Sequence, residues 1–523
     1  MDSQRLNVML IFSDHLRADA LGCFGNNLIK TPNIDQLSEN GTQFNQCMVT
    51  QPTCTPSRAS ILTGRYPSAI RTRMVGCSMP KEEMTIAEIL RKNGYKTASI
   101  GKIHLVPQFI EQQAINNTVT SHNDDGDKSH YDYYGFEEID LVDGQGYRCV
   151  GDKYIQWLNE QVPDWQKLIS KSERYEDGTK DTLVYPLPER VHSSNYIGDK
   201  AVEFIEQQDE TPFFLHVSFP DPHPPYSVPE PYASMYHPED IEDPILPVTK
   251  SKGLNSRFED VYFGRKNNRM ITATGKMCDC PLGTNYDDYS KYSRNNWRKV
   301  RSLYYGMVSL VDKNVGKILK ALGRKQLLNN TLIVFVADHG DYLGDHGFSG
   351  KGFHFDSVIR VPLIYSCPGI IKEQTIDNIA STVDIVPTIL DILNMEEPIG
   401  VQGISEKSVI LGNSNYRRTS ALTENDDDMG KLRMRTITTN EWKLTYYAGE
   451  NFGELYDRIK DPQERNNLWD VQEYRGIKGK LLNMLLEEVI CSIDVKNGRT
   501  QEPAPSVVKW IPKHYRLTKA LSR

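Results

Sequence analysis

The chain has 523 residues, of which 25% are charged and 38% hydrophobic, and it carries a formal net charge of −8. That length accommodates two or more packed units, and the balance of residue types is that of a soluble globular protein. The acidic surplus argues against a general nucleic-acid binder, though not against a local basic pocket for an anion.

Short apolar runs separated by amphipathic stretches predict an α/β fold, with a large, mostly parallel mixed sheet flanked by helices. The first strand is expected over residues 6–12; it is too short to cross a membrane and lacks the small-residue cleavage site of a signal peptide. A helix opens at Thr31-Pro32 and runs through Leu37. Another covers 84–92, stops at Asn93-Gly94 and leads into a strand over 96–100. Residues 196–207 place Ile197, Ala201, Phe204 and Ile205 on one helical face. A strand over 213–219 and a long helix over 297–322 follow. The strand over 331–336 is apolar almost throughout, as expected when both faces are covered. A strand over 361–365 and a helix over 383–393, interrupted by Pro387, complete this part.

After about Asn413 the pattern changes to short strands over 432–438, 442–447 and 454–457, which predict a small antiparallel sheet. The expected division is an N-terminal α/β domain at 1–413 carrying the site and a smaller C-terminal α+β subdomain at 414–523. Leu481, Leu482, Leu485, Leu486, Val489 and Ile490 form a helical stripe suited to packing. The tail from Gln501, with Pro503, Pro505 and Pro512, reads as a packed arm or a loose extension. Polar insertions at 143–190 and 244–296 are where substrate specificity is expected. No internal repeat recurs at a fixed period, which argues against a solenoid or propeller. Nine scattered cysteines suggest no disulfide framework, so a reduced, cytoplasmic setting without a membrane partner is expected. Cys278-Asp279-Cys280 lacks a second pair and reads as loop cysteines rather than a metal site.

Chemically capable residues gather where the predicted strands end, and in open α/β sheets ligands bind beyond the carboxyl ends of the strands. The first strand runs into Ser13-Asp14-His15 and the strand over 331–336 into Asp338-His339-Gly340-Asp341. The strand over 213–219 is followed by a proline-rich turn containing His223, and the strand ending at Ile100 by Gly101-Lys102-Ile103-His104. Two carboxylates converging at one rim repel unless a cation lies between them, and a divalent metal is the simple solution. Residues Cys54 to Gly64 read Cys-Thr-Pro-Ser-Arg-Ala-Ser-Ile-Leu-Thr-Gly, a compact turn in the loop after the helix at Thr31, with Thr63-Gly64 closing a short helical segment. Taken singly, a buried cysteine, a capping aspartate or a solvated lysine has an ordinary explanation; together these residues point to one site.

The Cys-x-Pro-Ser-Arg…Thr-Gly pattern at Cys54 resembles the signature of the formylglycine-dependent sulfatases, of the alkaline phosphatase-like superfamily. The resemblance extends over most of the chain, including residues 31–37, 94–104, 304–322, 335–351 and 360–368, and Glu454-Leu-Tyr-Asp in the small domain. It implies that Cys54 is oxidised by a maturation enzyme to formylglycine, whose hydrated aldehyde attacks a sulfate ester and whose second hydroxyl allows sulfate to leave. It implies Ca²⁺ held by Asp14, Asp338, His339 and the side chain at Cys54, with His15 standing where an aspartate or glutamine is more usual. Imidazole is a less natural partner for Ca²⁺ than oxygen, which leaves Mn²⁺ or Mg²⁺ open. It implies that Arg58 holds a charge beside the nucleophile, that Lys102 and Lys351 bind the sulfate, that His104 assists the hydrate and that His223 protonates the leaving alcohol. His346 is expected to play a structural or supporting role, and Asp384 and Pro387 resemble a family helix. The substrate implied is a sulfate ester of a sugar or other small molecule, with a phosphonate monoester or phosphodiester as the alternative. Tyrosine-phosphatase chemistry requires a longer spacing between cysteine and arginine than Cys54 and Arg58 provide. Arg71 and Arg73, just after the motif, are either rim residues that pair with a substrate anion or members of surface ion pairs.

Overall fold

The structure is a computed structural model and describes residues 5–121, 133–170, 179, 182–245, 269–271, 277–279, 292–413, 418–427 and 432–493. Its centre is an eight-stranded sheet. The strands in chain order are β1 (Asn7–Ser13), β2 (Gly41–Met48), β3 (Lys96–Gly101), β4 (Glu138–Leu141), β5 (Phe213–Phe219), β6 (Thr331–Ala337), β7 (Arg360–Ser366) and β8 (Gln374–Ser381). Their order in space is β8-β2-β7-β6-β1-β5-β3-β4. β7 alone runs antiparallel to its neighbours β6 and β2; the remaining pairs are parallel. The central strands β1, β5 and β6 are buried at every residue, which is why their sequences are apolar runs rather than alternations.

Helices cover both faces. They include α1 (Pro32–Glu39), α2 (Cys54–Thr63), α3 (Ser193–Glu206), α4 (Arg294–Arg324), α5 (Ile385–Ile392) and α6 (Arg475–Cys491). α4 packs along α3 and α1 and opens with a capping box in which Ser293 and Asn296 satisfy each other's main-chain N–H groups. The turn expected at Cys54 is the first turn of α2, with Thr53 at its N-cap and Gly64, at φ 67°, closing it. Pro387 does not interrupt α5; it lies in the first turn, where the absent N–H costs no hydrogen bond.

β9 (Ala421–Asp427), β10 (Leu432–Thr438), β11 (Trp442–Tyr447) and β12 (Gly453–Asp457) form a four-stranded antiparallel sheet. Leu444, Leu455, Leu481 and Leu485 from this part pack with Tyr66 and Val383 of the larger one. The stripe on α6 is wider than the surface that covers it: Leu481 and Leu485 are buried, while Leu486 and Ile490 are 59% and 57% exposed. Cys278 lies on a short strand, Met277–Asp279, paired with Arg269–Ile271. Cys280, the tail from Gln501 and much of the two polar insertions lie outside the described residues.

Candidate active site

Strand register brings the acids together. β1 and β6 are parallel neighbours with Ser13 opposite Ala337, so the next residue on each chain, Asp14 and Asp338, leaves the sheet side by side. Ser13 also lies opposite Phe219, and Gly101 opposite Ser218, which sends Lys102 to the same rim. α2 delivers Cys54 from its first turn, with every residue of the helix buried.

The cation between the two acids is the Arg58 guanidinium. Its Nε lies 2.7 Å from Asp338 Oδ2 and its Nη2 3.5 Å from Asp14 Oδ2, and its Nη1 donates to the Lys102 carbonyl (2.8 Å) and Ser218 Oγ (2.9 Å). Lys102 Nζ forms an ion pair with Asp14 Oδ2. Burial alone would raise the Asp14 pKa, but Lys102 and Arg58 overcome it and hold the carboxyl well below its ordinary range. Repulsion between the carboxylates is thus relieved by these two side chains, and any further cation is bound by the donors that remain turned outward.

Those donors are Asp14, His15, Cys54 and His339, whose ligand atoms all lie within 4.8 Å of one another. Cys54 Sγ is 3.2 Å from His339 Nε2 and 3.7 Å from Asp14 Oδ1. Asp338 stands beside this group rather than in it. Its Oδ1 accepts the main-chain N–H groups of His15 (3.2 Å) and His339 (3.0 Å) and lies 3.8 Å from His339 Nε2. The Lys351 ammonium lies among the donors, 2.7 Å from His15 Nε2, 3.0 Å from His339 Nε2 and 2.7 Å from Cys54 Sγ. A positive group in that position, ringed by lone pairs, is what a set of metal ligands would attract, and the residues present fit a divalent ion. Burial and the Asp14 charge push the Cys54 thiol up against the pull of Lys351 and Lys102, so the side chain is a poor thiolate and thiol chemistry is disfavoured.

The sequence-expected histidines divide by role. The His223 ring packs on that of His15, with centroids 4.0 Å apart, and its Nδ1–H donates to the Pro224 carbonyl at 2.6 Å, which leaves Nε2 for proton exchange. His104 is buried with φ 58°, and neither ring nitrogen has a hydrogen-bond partner among the described residues. His346 stacks on Phe355 at 3.8 Å and is structural. Asp384 is likewise structural, paired with Arg418 at 2.6 Å. Arg71 is exposed and pairs with Glu82 at 3.1 Å, which is the surface ion pair of the two readings. Arg73 is half-buried, and its carbonyl accepts from Gln51 Nε2 at 3.1 Å.

Three supporting residues were not singled out from the sequence. Asp341 accepts from His15 Nδ1 (3.0 Å), the Tyr226 hydroxyl (2.9 Å) and the N–H of Leu343 (3.0 Å). Glu111 accepts from the N–H groups of His104 (2.8 Å) and Leu105 (3.0 Å), fixing the turn that presents the His104 ring. Asp143, buried near Glu111, is pushed up to about 8 by burial and by that neighbour's charge. The Asp338-His339-Gly340-Asp341 run was the visible signal for Asp341; Glu111 and Asp143 stand in no motif and offered none.

A buried cysteine at the carboxyl edge of a mostly parallel sheet, beside carboxylate and imidazole donors that follow the two central strands, is the arrangement of an alkaline phosphatase-like hydrolase. The sulfatase family model matches residues 6–395, and the chain belongs to the sulfatase family and is a sulfuric ester hydrolase. A second model, for the C-terminal part of N-sulphoglucosamine sulphohydrolase, matches residues 344–490. The chain is 30% identical to an arylsulfatase of Clostridium perfringens, over 92% of this chain and 94% of that protein. It is 26% identical to an N-acetylglucosamine-6-O-sulfatase of Bacteroides thetaiotaomicron, over 93% and 86%. The phosphonate monoester hydrolase of Agrobacterium radiobacter superposes with a TM-score of 0.76 at 24% identity, covering 94% of this chain and 96% of that one. A structure in complex with its substrate D-glucosamine-2-N,6-O-disulfate superposes with a TM-score of 0.70 at 23% identity, covering 93% and 98%. At such identities these two likenesses show the fold alone.

Proposed function

We propose that this sulfatase hydrolyses a sulfate ester of a sugar or other small molecule, with Cys54 converted to formylglycine and a divalent metal held by Asp14, His15, His339 and residue 54, with Asp338 alongside. The observation that carries the reading is the position of Cys54, buried at the first turn of α2 with its sulfur against His339 and Lys351. The hydrated formylglycine would supply one hydroxyl to attack sulfur and a second whose deprotonation lets sulfate depart. The metal, Ca²⁺ by the family resemblance, would polarise the ester oxygens. Lys102 and Lys351 bind the sulfate oxygens from either side, and in a water-poor cleft their charges stabilise the added negative charge of the transition state. Arg58 pairs with both Asp14 and Asp338 and holds them in register. His223 Nε2 delivers a proton to the departing alcohol oxygen, since an alkoxide is a poor leaving group near neutral pH. The lone-pair nitrogen of the His104 ring would accept the proton lost from the remaining hydroxyl as the sulfated hydrate collapses to aldehyde and sulfate.

Every residue from Cys54 to Thr63 is buried, so a maturation enzyme must act on Cys54 before this segment is packed. The setting we propose is reducing and cytoplasmic, one in which Cys23, Cys47, Cys54, Cys77, Cys149, Cys367 and Cys491 would stay free thiols. Sugar substrates are favoured because the N-acetylglucosamine-6-O-sulfatase relative covers nearly the whole chain.

The test is turnover of a panel of sulfated mono- and disaccharides and an aryl sulfate, beside matched phosphonate and phosphodiester analogues, with fully converted protein. Sulfate esters are expected to be cleaved fastest and Cys54→Ala to abolish cleavage. Faster turnover of the phosphonate would assign the alternative activity, and an active Cys54→Ala protein would remove the formylglycine mechanism.

A further inference from the structure

The two imidazoles among the candidate ligands, His15 and His339, are fixed in one tautomer by partners on their far sides. His15 Nδ1 faces the carboxylate of Asp341 at 3.0 Å, and His339 Nδ1 faces the Gly340 carbonyl at 2.9 Å. Neither oxygen can donate, so each Nδ1 carries the hydrogen and each Nε2 keeps its lone pair. Both Nε2 atoms point at one place, where the Lys351 ammonium, a donor with no acceptor capacity, touches each of them. Asp341 is itself held by the Tyr226 hydroxyl and the N–H groups of Leu343 and Gly350 (2.9, 3.0 and 3.2 Å). This arrangement of carboxylate, histidine and open nitrogen is the one in which an outer carboxylate orients a metal-ligating imidazole.

His15 is also held in an unusual conformation. Its φ is 65°, a left-handed value that few residues other than glycine adopt. It is kept there by two main-chain hydrogen bonds: its N–H donates to Asp338 Oδ1 at 3.2 Å, and its carbonyl accepts from the Tyr304 hydroxyl at 2.8 Å. The chain therefore fixes both the backbone and the ring of His15 so that Nε2 joins the donors.

We infer that this site binds a first-row transition ion such as Mn²⁺ in preference to Ca²⁺, because His15 adds a second imidazole nitrogen to that of His339 in the ligand set. The inference rests on the metal-dependent reading proposed above. Ca²⁺ prefers oxygen ligands throughout, whereas imidazole favours the transition ions, and affinity for a given nitrogen and oxygen set rises along that series. With His15 and His339 both ligating, the set is two imidazole nitrogens with the Asp14 carboxylate and an oxygen from residue 54, and Asp338 alongside. A glutamine at position 15 would return one nitrogen position to oxygen.

The experiment uses the full chain stripped of metal and carrying Cys54→Ser, so that no thiolate biases the comparison toward softer ions. Affinities for Mn²⁺ and Ca²⁺ are measured by titration calorimetry with no substrate present. Directly bound nitrogens are counted on the Mn²⁺ form by electron spin-echo envelope modulation. The expected result is two bound imidazole nitrogens and Mn²⁺ held at least about tenfold more tightly than Ca²⁺. In His15→Gln one nitrogen signal disappears and the Mn²⁺-to-Ca²⁺ ratio falls by about tenfold or more. Ca²⁺ bound as tightly as Mn²⁺, or a Mn²⁺ spectrum with fewer than two bound nitrogens in the parent chain, overturns the inference; the spectrum decides the matter even if His15→Gln fails to fold. Turnover plays no part in these readouts. A parent chain that favours Ca²⁺ while converted protein still cleaves sulfate esters refutes this inference alone, whereas absence of cleavage with any ion would refute the function proposed above.

Discussion

His223 and the two lysines face opposite electrostatic demands. Lys102 is buried, and its amine is nevertheless raised because Asp14 outweighs the desolvation that would lower it. Lys351, beside Cys54 and the two imidazoles, is placed for a second contact with the same anion. Among the described residues no carboxylate is hydrogen-bonded to His223; burial lowers its pKa more than the Asp14 charge raises it, and its Nδ1 is committed to the Pro224 carbonyl. In the proposed role, an arriving sulfate ester, a monoanion, brings the negative charge that favours the protonated form of His223. The consequence is a dependence on the leaving group. His223→Ala should slow alkyl sulfate esters by ~10²–10⁴-fold while leaving an activated aryl sulfate much less affected. kcat/KM for a sugar 6-sulfate and for 4-nitrophenyl sulfate measures it, and equal losses on both would take His223 out of the acid role.

Elements carried most of what could be read in the sequence. β5, β10 and β11 have the bounds expected from their patterns, and β1, β3, β6, β7 and β12 differ only at their ends, because each is an apolar or alternating run bounded by turn residues. β2 and β8 were not legible: Gly-Thr-Gln-Phe-Asn-Gln-Cys-Met and Gln-Thr-Ile-Asp-Asn-Ile-Ala-Ser are polar because they lie at or next to the edge of the sheet, where tertiary pairing overrides propensity. β9, reading Ala-Leu-Thr-Glu-Asn-Asp-Asp, was hidden for the same reason. The site was legible to the extent that its residues end apolar strands or fall in the Cys54 motif. Arg58 as the bridge between acids and Asp341 as a support were not, since their function exists only once distant segments meet. The passage from β3 to Lys102 shows how tightly such an end is built. Gly101 has φ 103°, and a Cβ there would lie 2.0 Å from the Ser218 carbonyl oxygen of the paired strand. Gly101→Ala must therefore move backbone on β3 or on its neighbour β5. A loss of about 3 kcal/mol or more in stability is expected, together with loss of activity through displacement of Lys102. Denaturant unfolding checks this, and a midpoint equal to that of the parent would refute it.

The small sheet is part of the catalytic frame of the whole molecule. Its edge strand β9 runs beside the segments that precede Cys54 and follow Lys351. Glu424 N–H donates to the Thr50 carbonyl (2.7 Å), and Thr423 Oγ1 to the Val49 carbonyl (2.7 Å). Asn425 reaches both sides: its Oδ1 accepts from Gln51 Nε2 at 3.2 Å and its Nδ2 donates to the Gly352 carbonyl at 2.8 Å. One side chain from the C-terminal part thus ties together the residue three before Cys54 and the residue after Lys351. Behind it the shared apolar cluster of Tyr66, Val383, Leu444 and Leu485 supplies the adhesion, so Asn425 is free to set spacing rather than stability. Losing both hydrogen bonds in Asn425→Ala should cost about 1–3 kcal/mol in stability. Because a misplacement of about 1 Å in a catalytic group can cost on the order of 10²-fold in rate, kcat should fall by at least about tenfold while the fold persists. Measuring kcat and KM on a sulfate ester beside the melting temperature separates the two effects. A lowered melting temperature with kcat unchanged would mean that Asn425 only fastens the sheet, and that the larger domain sets the distance between Cys54 and Lys351 by itself.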